Sequence, residues 1–321
     1  MKRGCPIRRT DCDGRDFELI TTHIREGEGR IVQCPRCDLV MQDLDWDANQ
    51  IERYYNDDYQ LSNSLVMGEL QTARQHFDER IKTIQPVFDL VHPRINSGMS
   101  VLEIGCGAGE LLLLIKPLVK RSVGVEMNRA FTDFIQSELG IDAYMGDITK
   151  MELKEKFDLV ICVDSLDHMS NPLEALISME KLINPGGGLW LMVPNLNDAL
   201  RFFLPQPSLS QYREFFWHRA HFFYFDVTTM ATMLRAAGLR TIETQYYHQY
   251  TFKNYLNWYF TGKPQRSYSE ASNGVSLFAN DDPFRCEINS LFGDMERQFH
   301  VALKRHGRGD TLCCYAVKNS S

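Results

Sequence analysis

Val101-Leu102-Glu103-Ile104-Gly105-Cys106-Gly107-Ala108-Gly109 decides how this chain is read. Four residues of strand character run into three alternate glycines, and a helical pattern opens at Glu110. Glycine at such a bend permits φ > 0 and lets the backbone approach a ligand closely, and the following helix N-terminus adds a partial positive charge. Downstream, short apolar runs at Ser122–Glu126, Asp142–Gly146, Phe157–Val163 and Gly188–Val193 join Ser100–Ile104 as parallel strands covered on both faces. Amphipathic helices are expected between them at Glu110–Val119, Arg129–Leu139 and Leu173–Ile183, with Pro117 kinking or ending the first. The expected fold class is therefore α/β, a Rossmann-like sheet with helices on both faces.

The ends of the next two strands narrow the ligand. Glu126 closes the second strand, where an acidic side chain meets ribose hydroxyls, and Asp147 closes the third, where a carboxylate accepts from an adenine amino group. Glu103, just before the glycines, is placed to pair with the ammonium of an amino-acid moiety. Adenine, ribose and amino acid together describe S-adenosylmethionine rather than a dinucleotide.

From about 99 to 247 the sequence resembles the class I S-adenosylmethionine-dependent methyltransferases. The glycine bend resembles their first motif and Phe157-Asp158-Leu159-Val160 their strand-four motif. Leu166-Asp167-His168-Met169-Ser170-Asn171-Pro172 looks like the family's E-H-x-x-x-P turn, with Asp for Glu, and Asn184-Pro185-Gly186-Gly187-Gly188 like its turn into strand five. The resemblance implies seven strands with the last antiparallel, fitted by Thr241–Tyr247 and Thr311–Val317. It implies cofactor contacts from Glu103, Gly105, Cys106, Gly107, Gly109, Glu126, Met127, Asp147 and Ile148. Val163 and Asp164 would lie nearby; separately, Tyr59, with Tyr55, either closes over the cofactor from the N-terminal side or lies on the surface of a helix.

Acceptor contacts are expected after strand five, in Trp217-His218-Arg219-Ala220-His221-Phe222. His221 is the leading candidate for general base, His218 a second, and His168 a residue near the methyl group or a helix cap. Phe202, Phe203, Phe215, Phe216 and Trp217, with Tyr255, Trp258 and Tyr259, form either an acceptor pocket or helix-packing core.

The N-terminal 45 residues hold strand-like pieces at Phe17–Thr21 and Arg30–Gln33, and four of the nine cysteines. Cys34-Pro35-Arg36-Cys37 has zinc-knuckle spacing, and Cys5 and Cys12 complete a four-thiolate structural Zn²⁺ site, with His23 as a substitute nitrogen. A ribbon without metal is the alternative. The module, with Cys34–Val40 and Tyr55–Tyr59, resembles that preceding the core in bacterial methyltransferases of sugar and cell-surface glycan pathways. The widened first pair and Asp38 for glycine depart from that pattern.

Three regions follow: a cysteine-rich module over 1–45, a helical linker or lid over 46–98, and a core over 99–321 with substrate inserts near 199–226 and 250–306. A net charge of −7 and acidic residues around the knuckle (Asp43, Asp45, Asp47, Glu52, Asp57, Asp58) oppose a nucleic-acid face. No run reaches the ~20 apolar residues of a membrane span. Cys5-Pro6-Ile7-Arg8-Arg9 stands where a signal peptide needs an apolar stretch, so a cytoplasmic protein is expected. The expected acceptor is a small molecule, a sugar or a glycan-linked group. RNA or protein methylation, and a non-catalytic binding protein on the same fold, are the alternatives.

Overall fold

The computed structural model describes residues 5–7, 16–25, 27–44, 50, 54, 70–272 and 278–318. Its centre is a seven-stranded sheet. In chain order, β1 (Glu18–Ile24), β2 (Gly27–Gln33) and β3 (Val40–Gln42) precede helices α1 (Ala73–Arg80) and α2 (Gln85–Val91). Then come β4 (Ser100–Ile104), α3 (Glu110–Ile115), β5 (Arg121–Glu126), α4 (Arg129–Phe134), β6 (Asp142–Met145), β7 (Phe157–Val163), α5 (Pro172–Lys181) and β8 (Ile183–Pro194). The remaining elements are α6 (Ser208–Phe216), β9 (Phe223–Tyr224), α7 (Val227–Ala236), β10 (Leu239–Tyr247), α8 (Phe252–Thr261), α9 (Tyr268–Ser272), α10 (Pro283–Arg305) and β11 (Thr311–Lys318).

The central order is β10-β11-β8-β7-β4-β5-β6. Strands β4 to β8 run parallel to one another, and β11 lies antiparallel between β8 and β10. That is the antiparallel last strand expected from the sequence. Residues of β4, β7 and β8 such as Leu102, Val160, Ile161 and Leu191 are buried, because helices cover both faces. Each buried aliphatic side chain contributes about 1.5–3 kcal/mol.

Three local differences have identifiable causes. Pro117 stops α3 at Ile115, leaving one tight turn at Lys116–Leu118. The helix expected through Leu139 ends at Phe134, and its last turn, Ile135–Leu139, widens to π geometry before Gly140 at φ 58°. Strand β8 begins at Ile183 rather than Gly188, since the glycine run forms a bulge: Phe157 pairs with Ile183 and Leu159 with Gly188. A Cβ on Gly187 would lie 2.6 Å from the Asp158 carbonyl oxygen.

The N-terminal strands do not form a sheet of their own. A second sheet runs β1-β2-β3-β9, its fourth strand coming from the insert that follows β8. Val40 pairs with Tyr224 and Met41 with Phe223. The expected boundary near residue 45 therefore crosses a shared sheet. Among the described residues, no helix is long and apolar enough to cross a membrane.

Candidate active site

A cavity of about 870 Å³ opens at the carboxyl ends of β4, β5, β6 and β7. This is where ligands bind in open α/β sheets, and the volume falls in the ~300–1,000 Å³ range of small-molecule sites. Gly105 and Gly107 line it at φ 69° and 53°, the left-handed conformation that glycine adopts without strain. Gly109, at φ 87°, does not line it. A Cβ there would lie 2.9 Å from Ile135 and 3.0 Å from Leu139, so this glycine lets α3 pack against the end of α4.

Glu103, Cys106, Glu126, Met127, Asp147, Ile148, Val163 and Asp164 all line the cavity. Glu126 accepts from the Gly107 amide at 3.0 Å and the Asn128 amide at 2.9 Å, which ties the glycine bend to the end of β5. Asp147 accepts from the Thr149 amide and hydroxyl, closing the turn after β6. Glu103 is 3% exposed, and its Oε2 has no hydrogen-bond partner. Burial and the neighbouring Glu110 raise its pKa well above the usual carboxylate range, while Arg80 opposes the rise. A buried carboxylate with one unpartnered oxygen, beside an open glycine bend, fits a cationic nucleoside ligand such as S-adenosylmethionine.

The cavity gains two residues from α1 that the sequence reading passed over. His76 and Arg80 are four apart and share a helix face. That spacing was the available signal, masked by the many other charges on this segment. Arg80 lies 3.6 Å from Asp164 and offsets the charge of Asp164, Glu103 and Glu110. Burial nevertheless pushes the Asp164 pKa up to about 6. His76 is 3.8 Å from Glu110, but burial and Arg80 push its pKa down to about 4, so the contact carries no ion pair at neutral pH.

Burial pushes Glu110 up to about 7. Its pKa is raised above the unfolded value, so the ionised form costs stability in full above pH 7. That cost is relieved as pH falls toward 4.5. Glu110→Gln is expected to stabilise the protein by about 2 kcal/mol at pH 8, after allowing for the lost helix-dipole interaction. The gain should shrink toward zero near pH 5. Melting temperatures of both proteins across this range check it.

At the other end of the cavity, His168, His218 and His221 come together. The His168 and His221 ring centres are 4.8 Å apart, and those of His218 and His221 are 5.1 Å apart. Burial, then the two neighbouring histidines, lower the His221 pKa well below its usual value, so its imidazole is neutral. His218 Nδ1 accepts from the Ala220 amide at 3.0 Å, shaping the turn. The Gln42 side-chain amide donates to the carbonyls of His218, Arg219 and His221 at 2.6, 3.0 and 2.8 Å. The Gln42 backbone amide donates to Phe222 O, and the Phe222 amide to Asp167 O. Gln42 and Asp167 thus position the histidine turn, and neither was among the sequence candidates.

Of the aromatic candidates, Phe215, Phe216 and Trp258 reach the cavity, joined by Tyr212, Tyr250 and Tyr268. Phe202, Phe203 and Tyr259 are exposed instead, and Trp217 is buried against Ile24, Ile31 and Tyr224 of the second sheet. Tyr255 packs against Phe252 and Phe299. Asp198 accepts from the Tyr212 hydroxyl, and Asp310 from the Gln249 amide and the Thr311 hydroxyl. Both line the cavity, and burial pushes each to about 6.

Three of the four expected thiolates converge away from this cavity. Cys5, Cys34 and Cys37 place their sulfurs within 4.8 Å of one another, with Cys5 and Cys37 3.4 Å apart. His23 is exposed and not part of the cluster. Cys12, Tyr55 and Tyr59 lie outside the described residues.

A family profile described as "Methyltransferase domain" matches residues 74–244, just over half the chain. The chain belongs to the class I S-adenosylmethionine-dependent methyltransferases. Among curated relatives, the ubiquinone biosynthesis O-methyltransferase of Pseudomonas entomophila (strain L48) is 27% identical over 134 residues, covering 37% of this chain and 58% of the relative. Its counterpart from Pseudomonas aeruginosa (strain UCBPP-PA14) is 27% identical over 140 residues, covering 39% and 60%. The methyltransferase thus spans about three-fifths of the length of these relatives. A solved SAM-dependent methyltransferase from Archaeoglobus fulgidus aligns at TM-score 0.47 and 17% identity, over 75% of this chain and 98% of that one. A putative methyltransferase from Bacillus halodurans C-125 aligns at 0.44 and 15%, over 75% and 100%.

Proposed function

We propose that this methyltransferase transfers a methyl group to a hydroxyl of a small polyhydroxylated acceptor, a sugar or a glycan-linked group. The observation that carries this reading is a single shared cavity. The Gly105–Gly107 bend, Glu103 with its unpartnered Oε2, Glu126 and Asp147 open into the same space as His168, His218 and His221. Bound at the first group, S-adenosylmethionine supplies a methyl already activated by the positive charge of its sulfonium. Glu103 meets its ammonium, and Glu126 and Asp147 meet its ribose and adenine. Residues of α6, α8 and α9 wall the cavity, so positioning of donor and acceptor contributes much of the rate. His221, with His218 and His168 beside it, activates the acceptor.

The acceptor end combines aromatic faces of Tyr212, Phe215 and Trp258 with the buried carboxylates Asp198 and Asp310. Rings stack on the apolar face of a sugar while carboxylates accept from its hydroxyls. The relatives' name favours a second reading, a phenolic acceptor stacked on the same aromatics. A mass-shift screen with labelled methyl donor, set with nucleotide sugars against polyphenols, separates the two. His221→Ala is expected to cut turnover at least ~100-fold while calorimetric affinity for S-adenosylmethionine stays unchanged. Unchanged turnover would remove His221 from the chemistry.

We further propose a structural Zn²⁺ on Cys5, Cys34 and Cys37, with Cys12 as the fourth thiolate. Four sulfurs at 2.3 Å from a tetrahedral ion stand ~3.8 Å apart, close to the observed spacing. Elemental analysis of the purified protein is expected to find zinc that Cys34→Ser loses.

A further inference from the structure

A second set of potential ligands faces the cavity. His168 Nε2 is 3.6 Å and His221 Nε2 3.5 Å from Asp167 Oδ2. One donor atom from each of the three residues lies within 4.8 Å of the others. Asp167 is 1% exposed, and neither of its carboxylate oxygens has a hydrogen-bond partner. Direct hydrogen bonds would bring these atoms to about 2.9 Å. Donors around a tetrahedral ion with bonds of ~2.1 Å stand ~3.4 Å apart, near the distances found.

The tautomer of His168 sharpens the geometry. Its Nδ1 is 2.8 Å from the Ala220 carbonyl oxygen, which can only accept, so Nδ1 carries the proton. Nε2 is then the ring nitrogen that faces the Asp167 carboxylate. At 3.6 Å this nitrogen and the unpartnered carboxylate stand too far apart for a direct hydrogen bond and at the spacing of two ligands of one ion. A backbone carbonyl holding the far nitrogen is also the usual outer support of a metal-bound histidine.

We propose that Asp167, His168 and His221 bind a divalent transition-metal ion, leaving one coordination position open to the cavity. Three protein ligands with an open position is the pattern of catalytic rather than structural sites. The proposal rests on the reading that the acceptor sits at this end, and it specifies how the acceptor is activated. A hydroxyl bound at the open position releases its proton to water and keeps its electron pair on the oxygen. His221 then acts by holding the ion.

Imidazole and carboxylate accept Mn²⁺ readily, whereas the thiolates near the N-terminus favour softer ions, so Mn²⁺ reads this site selectively. The full chain, dialysed against a chelator, is titrated with Mn²⁺ and followed by loss of the free-ion electron paramagnetic resonance signal. One Mn²⁺ per chain is expected. Asp167→Asn and His221→Gln should each weaken it at least ~10-fold, with circular dichroism and S-adenosylmethionine affinity retained. Absence of Mn²⁺ binding in a wild-type chain that still binds S-adenosylmethionine overturns the site, as does equal binding in both variants. A chain that binds Mn²⁺ in this variant-sensitive way but not S-adenosylmethionine keeps the metal site and removes the functional reading beneath it.

Discussion

Gly105→Ala is expected to abolish measurable S-adenosylmethionine binding, with affinity falling ~100-fold or more. At φ 69° an alanine costs about 1–2 kcal/mol in backbone strain alone. Its Cβ would also lie 2.3 Å from Ser165 Oγ and 2.7 Å from Ser165 Cβ. Ser165 cannot simply swing aside, because its hydroxyl donates toward the Val163 and Gly105 carbonyls and fastens the ends of β7 and β4 together. Displacing it moves the backbone of the bend proposed to meet the cofactor. A binding penalty near 3 kcal/mol corresponds to the ~100-fold loss. Calorimetry on the folded variant checks it, and an affinity within threefold of wild type would contradict the placement of the cofactor at this bend. Gly109→Ala provides the contrast. Its substitution crowds Ile135 and Leu139, so it should lower the melting temperature more than it lowers affinity.

Gln42→Leu should produce the second large effect, and on a different quantity. The Gln42 amide supplies one nitrogen to three carbonyls of the histidine turn. Leucine fills the space but takes a donor from all three carbonyls, of which His218 O keeps the His221 amide and the Tyr224 hydroxyl, a loss of roughly 1–3 kcal/mol in stability. The turn that aims His218 and His221 then loosens, and a displacement near 1 Å is enough for a ~100-fold drop in turnover. The glycine bend is untouched, so affinity for S-adenosylmethionine should hold within about twofold. Turnover and calorimetry on the same preparation separate the two effects. Equal losses in both would make Gln42 a general stabiliser rather than a positioning residue.

These two residues also mark what the sequence could and could not disclose. Gly105, Glu126 and Asp147 were legible because each sits at the end of its own strand, and a parallel sheet gathers successive carboxyl ends along one edge. Their chemistry follows from local pattern plus a known topology. Gln42 has no such pattern; its importance arises from pairing between residues 176 to 179 positions apart. Arg80 and the Asp198–Tyr212 contact are likewise products of packing between separated segments. The aromatic stripe stayed ambiguous for a related reason. Spacing could not tell Phe215, which faces the cavity, from Phe203, which faces solvent, without knowing how the insert folds back over the sheet. Gly109 belonged to the motif by spacing, yet the neighbouring Ile135 and Leu139 account for it.

The sheet shared between β3 and β9 bears on how the chain is made. Val40–Gln42 finds its outer neighbour only when Phe223–Tyr224 has been synthesised, about 180 residues later. At ~5–20 residues per second, a ribosome takes roughly 10–40 s to cover that distance. Throughout the interval the edge of β3 offers unpaired amides and carbonyls next to buried-type side chains, the arrangement that invites pairing with another nascent chain. Strands β1 to β3 are thus made well before the strand that completes their sheet.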